Sequence, residues 1–327
     1  MSDATDKAIA LIESELVHVR KLISKHGDLT APFQTTLKSP PPYIPEGGKH
    51  LRPKLALIGA HLCGYVGEWH MPLGCAFELL HNSSLFHDDV IDEATTRRGM
   101  PSINVSHSNR IAILAGDLLM SRGMDIVVEL GDIRLVSEFN ITLGKMVEGE
   151  LVEMSMRDLN EFSYEKYVEM LSKKTASLIA LCLKTGAILA KKRELERQLE
   201  DVGLLSGRVF QMADDLLDYL YSAEVTGKDR FRDYYEGKPT YPAYVVYCAC
   251  ADDEKEIFLD NFGARVPQDE SNELLEELVK RASLKERVEL KLKSEAERAI
   301  ALAKKLPRNP YSELLEKLTY QMAFRMK

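Results

Sequence analysis

No stretch of this chain approaches the eighteen or so consecutive apolar residues of a membrane-spanning helix, so a helical membrane protein is excluded. The Met1-Ser2-Asp3 start has neither a basic region nor the apolar run of a secretory signal, and a cytoplasmic protein is expected. Cysteine is scarce: Cys63, Cys75, Cys182, Cys248 and Cys250 form an odd, scattered set without paired CxxC spacing. That excludes a disulfide framework and a cysteine zinc site, and Cys248 and Cys250 read as buried thiols. Positive charge is also in deficit, 43 Lys and Arg against 51 Asp and Glu, for a formal charge of −8. Phosphate backbones require a net basic face, so a nucleic-acid binder is excluded and any phosphate ligand must be held locally. With no Pro/Ser-rich linker in 327 residues, one large domain over residues 1–327 is expected. There is no convincing β-alternation, which leaves an all-α chain.

Against these absences stands one repeated pattern, Asp88-Asp89-Val90-Ile91-Asp92 and Asp214-Asp215-Leu216-Leu217-Asp218. Each places carboxylates at relative positions 0, 1 and 4 after an apolar run. On a helix, positions 0 and 4 share a face and position 1 flanks it. Like charges gathered at an apolar helix end are costly unless a cation neutralises them. A hard, oxygen-seeking ion such as Mg²⁺ meets that need, particularly with a phosphate completing its shell. One triad alone is equally well explained as a solvated helix end. Two, each with basic or polar escorts (Arg97-Arg98, Phe210-Gln211, Lys228, Lys238), point to one site built from two helices.

Taken in order, Ile9, Ile12, Leu16, Val19 and Ile23 mark an amphipathic helix that stops near Gly27. Pro40-Pro41-Pro42, Pro45 and Gly47-Gly48 form a loop leading to Pro53, read as a first helical residue. Lys49, His50 and Arg52 there, beside glycine amides and a helix N-terminus, read equally as an anion site or an ordinary basic loop. A buried helix over Leu73–Phe86 delivers His81 to the first triad. Alone on an apolar face His81 reads as a core histidine; two turns before the carboxylates it reads as a ligand-binding group. Arg97-Arg98, in a loop with Gly99 and Pro101, can clamp a diphosphate bidentately. Helical patterns follow over Ile111–Leu130, Leu135–Met156 (with Glu148-Gly149-Glu150) and Tyr164–Ala190 (with Lys173-Lys174-Thr175). A solvated charged face over Lys191–Asp201 precedes Gly203–Tyr221, which carries the second triad. Thr226-Gly227-Lys228-Asp229 and Asp233–Thr240 suit a flap that closes over phosphate. The remainder, with breaks at Gly263, Pro267, Pro307 and Pro310, carries no chemical motif.

From about Gly47 to Thr240 these motifs, in this order, resemble the trans-type isoprenyl (polyprenyl) diphosphate synthases, and the helical pattern extends the resemblance over the chain. A terpene cyclase shares the first motif but has an Asn/Ser/Glu second motif; the aspartate-rich second motif with Phe210-Gln211 before it is that of the chain elongators. The resemblance implies a helical bundle of the isoprenoid synthase type with a central active-site cavity, acting as a homodimer. It implies that Asp88, Asp89, Asp92 and Asp214, with Asp215 and Asp218, hold three Mg²⁺ ions on the diphosphate of an allylic substrate. Arg97, Lys174, Lys228 and Lys238 would contact that diphosphate, whereas Lys49, Arg52, His81 and Arg98 would bind isopentenyl diphosphate. Thr175 and Gln211 would turn their dipoles toward the developing carbocation. The catalytic group is then Lys174, Thr175, Gln211 and Lys228. Two departures stand out: His50 where the family usually has arginine, and Glu153 where glutamine is common.

The reaction so implied is a 1'-4 condensation of trans geometry. The allylic C–O bond breaks, and the double bond of isopentenyl diphosphate attacks C1. The released pyrophosphate takes the final proton, which fits the lack of a Ser/His/Asp or Cys/His constellation. In this family the residues four and five before the first triad line the upper channel for the growing tail. Here Ser84 and Ser83 are small, where short-chain synthases place an aromatic. Leu80 and Phe77, with Met120 or Met124, are deeper candidates for its floor; Phe77 lies about 9 Å from Ser83 along a helix. The expected primer is farnesyl or geranylgeranyl diphosphate, and the expected product has about thirty to forty carbons, released at a membrane surface without a membrane span. The alternatives are a geranylgeranyl or farnesylgeranyl diphosphate synthase, a terpene cyclase, or one subunit of a heteromeric synthase.

Overall fold

A computed structural model describes residues 3–34, 44, 48–97, 99–156, 158–221, 230–265 and 269–324. The chain is all-α, as expected. Its long helices are α1 (Asp3–His26), α2 (Leu51–Leu62), α3 (His70–Ile91), α4 (Asn109–Glu129), α5 (Ile133–Ser155), α6 (Tyr164–Leu171), α7 (Ser177–Leu189) and α8 (Arg193–Leu220). After them come α9 (Tyr241–Tyr247), α10 (Asp252–Asn261), α11 (Asp269–Arg281), α12 (Leu284–Ala303) and α13 (Pro310–Ala323). Among the described residues no helix is long and apolar enough to cross a membrane. Contacts divide the chain into two compact units. One comprises residues 1–141, 178–203 and 303–317, the other 142–177, 204–302 and 318–327.

In the first unit, α3 packs along α4, α2 and α1. The apolar period of α1 is realised: Ile12, Leu16, Val19 and Ile23 are buried, with Ala8 taking the place expected of the half-buried Ile9. Helix α2 begins at Leu51, so Pro53 is its third residue rather than its first; the missing N–H is still in the first turn, where no carbonyl awaits it. His50 reverses the chain before it with a left-handed φ of 43°. Helices α2 and α7 cross backbone to backbone. A Cβ on Gly186 would stand 2.1 Å from the carbonyl carbon of Gly59, so this crossing requires glycine. The segment after the first triad is not only loop: Thr96–Arg97 and Met100–Pro101 pair antiparallel, a hairpin too short to leave an alternating pattern.

The second unit has its own core, rich in aromatic rings: Tyr167, Tyr219, Phe231, Tyr234 and Phe258 are fully or almost fully buried. Tyr234 meets Tyr235, Phe258 and Phe262 edge to face. This packing corrects half of the expected flap. Within Asp233–Thr240, Tyr234, Tyr235, Pro239 and Thr240 are buried and anchored; Thr226–Asp229 lies outside the described residues. Among the cysteines, Cys63, Cys75, Cys182 and Cys250 are buried, but Cys248 is exposed, contrary to expectation, because it caps the C-terminus of α9. Burial pushes the Cys63 and Cys75 thiols up to about 12, so they behave as packing groups.

Candidate active site

The two triads share one local design. Asp88 and Asp92 are half-buried while Asp89 is buried; Asp214 and Asp218 are half-buried while Asp215 is buried. Helical geometry dictates this, because positions 0 and 4 lie on one face and position 1 turns about 100° away into the unit's interior. Each buried middle carboxylate is held by side chains of its own unit.

In the first unit, Arg97 reaches back from the hairpin and donates from Nε to Asp89 Oδ1 at 2.8 Å, with Nη2 against the same oxygen. The first triad therefore comes with a guanidinium attached. His81, half-buried, lies on the same helix; Ser84 donates its hydroxyl to the His81 carbonyl at 2.9 Å, satisfying it within the helix. Ser83 and Leu80 are buried, and Phe77 is fully buried with its ring stacked on Phe139 at 4.7 Å between centroids. Lys49 is exposed and Arg52 half-buried at the start of α2. His50 places Nδ1 3.3 Å from the buried Glu78, so the histidine that departs from the family pattern turns toward a carboxylate. Arg98 lies outside the described residues.

In the second unit a relay of hydrogen bonds runs from Thr175 to the triad. Thr175 Oγ1 donates to Gln211 Oε1 at 3.2 Å, and Gln211 Nε2 donates to Asp215 Oδ1 at 2.9 Å. On the other side Tyr167 donates to Asp215 Oδ2 at 2.6 Å. Even so, burial first, and then the charge of Asp233, push the Asp215 carboxyl up to about 8. The oxygen-only donors of Asp214, Asp215, Asp218 and Asp233 fit a hard divalent cation. Asp218 accepts the backbone N–H of Asp233 at 3.0 Å, which fixes the following segment to the triad. Lys238 pairs with Glu236 at 2.6 Å. Lys228 lies outside the described residues.

Lys174 and Thr175 do not sit on an ordinary α-helix. Residues Ser172–Ala176 form one π-helical turn between α6 and α7, a device frequent at functional sites because the inserted residue re-aims its neighbours. Arg208 braces it by donating to Ser172 Oγ at 2.7 Å. Gly149 on α5 lets the turn come close: a Cβ there would stand 2.4 Å from the Lys174 nitrogen. Lys174 Nζ bridges Glu150 at 2.7 Å and Glu153. The Glu153 departure thus gives this lysine a second carboxylate.

Tyr167 and the π-turn are the parts that the sequence did not reveal. Two expected outcomes test them. Tyr167→Phe removes a donor from a buried carboxylate and should cost about 1–2 kcal/mol by urea denaturation; an unchanged midpoint would show that the hydroxyl contributes nothing. Gly149→Ala forces α5 off the π-turn and should cost about 1–3 kcal/mol, read as a lowered melting temperature; an alanine variant as stable as the parent would contradict the close approach.

The fold is shared with enzymes that build isoprenoid chains. The crystal structure of a polyprenyl synthase from Caulobacter crescentus CB15, complexed with calcium and isoprenyl diphosphate, superposes with a TM-score of 0.87 over 99% of both chains at 28% identity. The class is therefore an all-α prenyltransferase. The sequence is 30% identical over 277 residues, 84% of this chain and 85% of the relative, to the all-trans-nonaprenyl-diphosphate synthase (geranyl-diphosphate specific) of Rhodobacter capsulatus. It is 32% identical over 246 residues, 73% of this chain and 74% of the relative, to the geranylgeranyl diphosphate synthase of Sulfolobus acidocaldarius. Residues 34–280 match the polyprenyl synthetase family, and the chain belongs to that family as a polyprenyl diphosphate synthase.

Proposed function

We propose that the chain is a Mg²⁺-dependent elongase that condenses isopentenyl diphosphate with an allylic diphosphate, farnesyl or geranylgeranyl, and stops at about thirty to forty carbons. The observation that carries this reading is the common design of the triads, outer carboxylates half-buried and the middle one buried and hydrogen-bonded. Asp88, Asp92, Asp214 and Asp218 present the oxygens that hold metal, while Asp89 and Asp215 fix the geometry through Arg97, Gln211 and Tyr167. Bound Mg²⁺ would stabilise the negative charge that develops on the departing diphosphate.

The remaining chemistry belongs to the side chains. Arg97, Lys174, Lys228 and Lys238 supply positive charge to the allylic diphosphate, with Lys174 leaving Glu150 and Glu153 to do so. Lys49, Arg52, His81 and Arg98 orient isopentenyl diphosphate, so that attack on C1 gains from proximity. Thr175, whose O–H donates a hydrogen bond to Gln211, keeps its oxygen lone pairs for the allylic cation. Pyrophosphate removes the final proton.

The chain works as one catalytic domain, since each compact unit draws on three separate stretches and neither is a continuous segment. A homodimer is in keeping with the exposed Ile113, Leu114 and Val128 on α4, which are 42%, 55% and 56% accessible. The resemblance to a geranylgeranyl diphosphate synthase supports a second reading, a product of twenty carbons. Chelation tests the metal: EDTA should stop turnover and Mg²⁺ restore it. Full activity in excess EDTA would overturn the assignment.

A further inference from the structure

Outside the triads, the first unit gathers Glu15, His61 and His70 from three helices, α1, the last turn of α2 and the first turn of α3. His61 Nε2 lies 2.9 and 2.8 Å from the two Glu15 oxygens, and His70 Nε2 lies 3.1 Å from Oε1. One donor atom from each of the three side chains falls within 4.8 Å of the others. Aromatic rings surround them: Tyr311 stacks on His61 at 4.9 Å, and Tyr65 meets the edge of His70 at 5.8 Å. His70 is 6% exposed, and its Nδ1 is buried without a protein partner, so the ring's polar engagement is through Nε2, inside the cluster.

We propose that Glu15, His61 and His70 form a zinc site, separate from the diphosphate chemistry, that ties together α1, α2 and α3. Zinc takes imidazole nitrogen and carboxylate oxygen at about 2.0–2.2 Å. At about 2.1 Å two donors stand about 3.0 Å apart at a right angle and about 3.4 Å apart at a tetrahedral angle. The two histidine–carboxylate separations need to open by only a few tenths of an ångström, and the two imidazole nitrogens already lie within 4.8 Å of each other. The donor set excludes the competitor expected at the triads, because Mg²⁺ prefers all-oxygen shells and retains its waters. Two imidazoles and one carboxylate leave a position for water. Metal would take the place of the hydrogen bonds that now join the three groups.

The experiment uses the full chain, freed of metal with a chelator and dialysed against Zn²⁺. Because the aspartate triads also attract divalent ions, metal content and calorimetry are measured on an Asp88→Ala/Asp214→Ala background. One Zn²⁺ per chain is expected there, with a melting temperature raised by a few degrees. His61→Ala and Glu15→Gln should each weaken Zn²⁺ binding at least about tenfold. Absence of stoichiometric Zn²⁺ on that background, or affinity unchanged in both variants, would overturn the site. Should either variant not fold, Co²⁺ added to the parent decides: intense visible bands of a four- or five-coordinate ion support the site, and the weak bands of hydrated Co²⁺ refute it. The result is independent of chain elongation, which Mg²⁺ supports through other residues.

Discussion

Replacing Asp88 or Asp214 by alanine should lower kcat by roughly a thousandfold and leave the melting temperature within a few degrees of the parent. Both residues are half-buried outer members of their triads, so their loss removes charge from the reaction without emptying the core. The middle aspartates behave differently. Asp215→Ala deprives Tyr167 and Gln211 of their acceptor in a buried place and should cost about 1–3 kcal/mol besides activity. Steady-state kinetics with parallel thermal scans separates these cases. Retained turnover in both outer variants would remove the metal assignment, whereas equal destabilisation by outer and middle variants would contradict the division of labour within each triad.

Ser83→Phe should shorten the product, to twenty carbons or fewer, with the rate of the first condensation nearly unchanged. The tail is expected to pass Ser84 and Ser83 on α3, and an aromatic ring at Ser83 would close the path about one and a half turns from the triad. Two observations bear on how far an unmodified tail can run. The Ser84 hydroxyl is satisfied by the His81 carbonyl, leaving little for an apolar tail to avoid. Phe77, about 9 Å further along the helix, is engaged with Phe139 in the packed interior of the first unit. Mass analysis of the hydrolysed products decides: an unchanged distribution would mean that the tail does not run past Ser83.

Helical periodicity reports which face of an element is buried, and this is why the amphipathic α1 and the triads were legible in the sequence. Spacing 0, 1, 4 reads as three carboxylates whose oxygens can converge on metal; the structure instead buries the middle ones, Asp89 and Asp215, against Arg97 and Tyr167, partners that the spacing does not report. What periodicity does not carry is the partner across the unit. Tyr167 meets Asp215 across 48 residues, and His70 meets Glu15 across 55, so neither pair leaves a local trace. The π-turn is hidden for another reason. Ser172-Lys173-Lys174-Thr175-Ala176 has an unremarkable helical composition, and its displacement is accommodated by a glycine on another helix, Gly149. Asp233 is visible in the sequence only as part of the Asp233–Thr240 flap, because the glycine and lysine around it outweigh the tyrosines that the structure buries beside it. Cys248 escapes the same reading: of two apparently equivalent thiols just past the end of α9, Cys250 is buried and Cys248 exposed.

The most direct test incubates the purified chain alone with Mg²⁺, farnesyl diphosphate and labelled isopentenyl diphosphate and sizes the hydrolysed products. A ladder that ends at thirty carbons or more is expected. No incorporation of label by the folded chain would contradict the proposal that it elongates allylic diphosphates unaided.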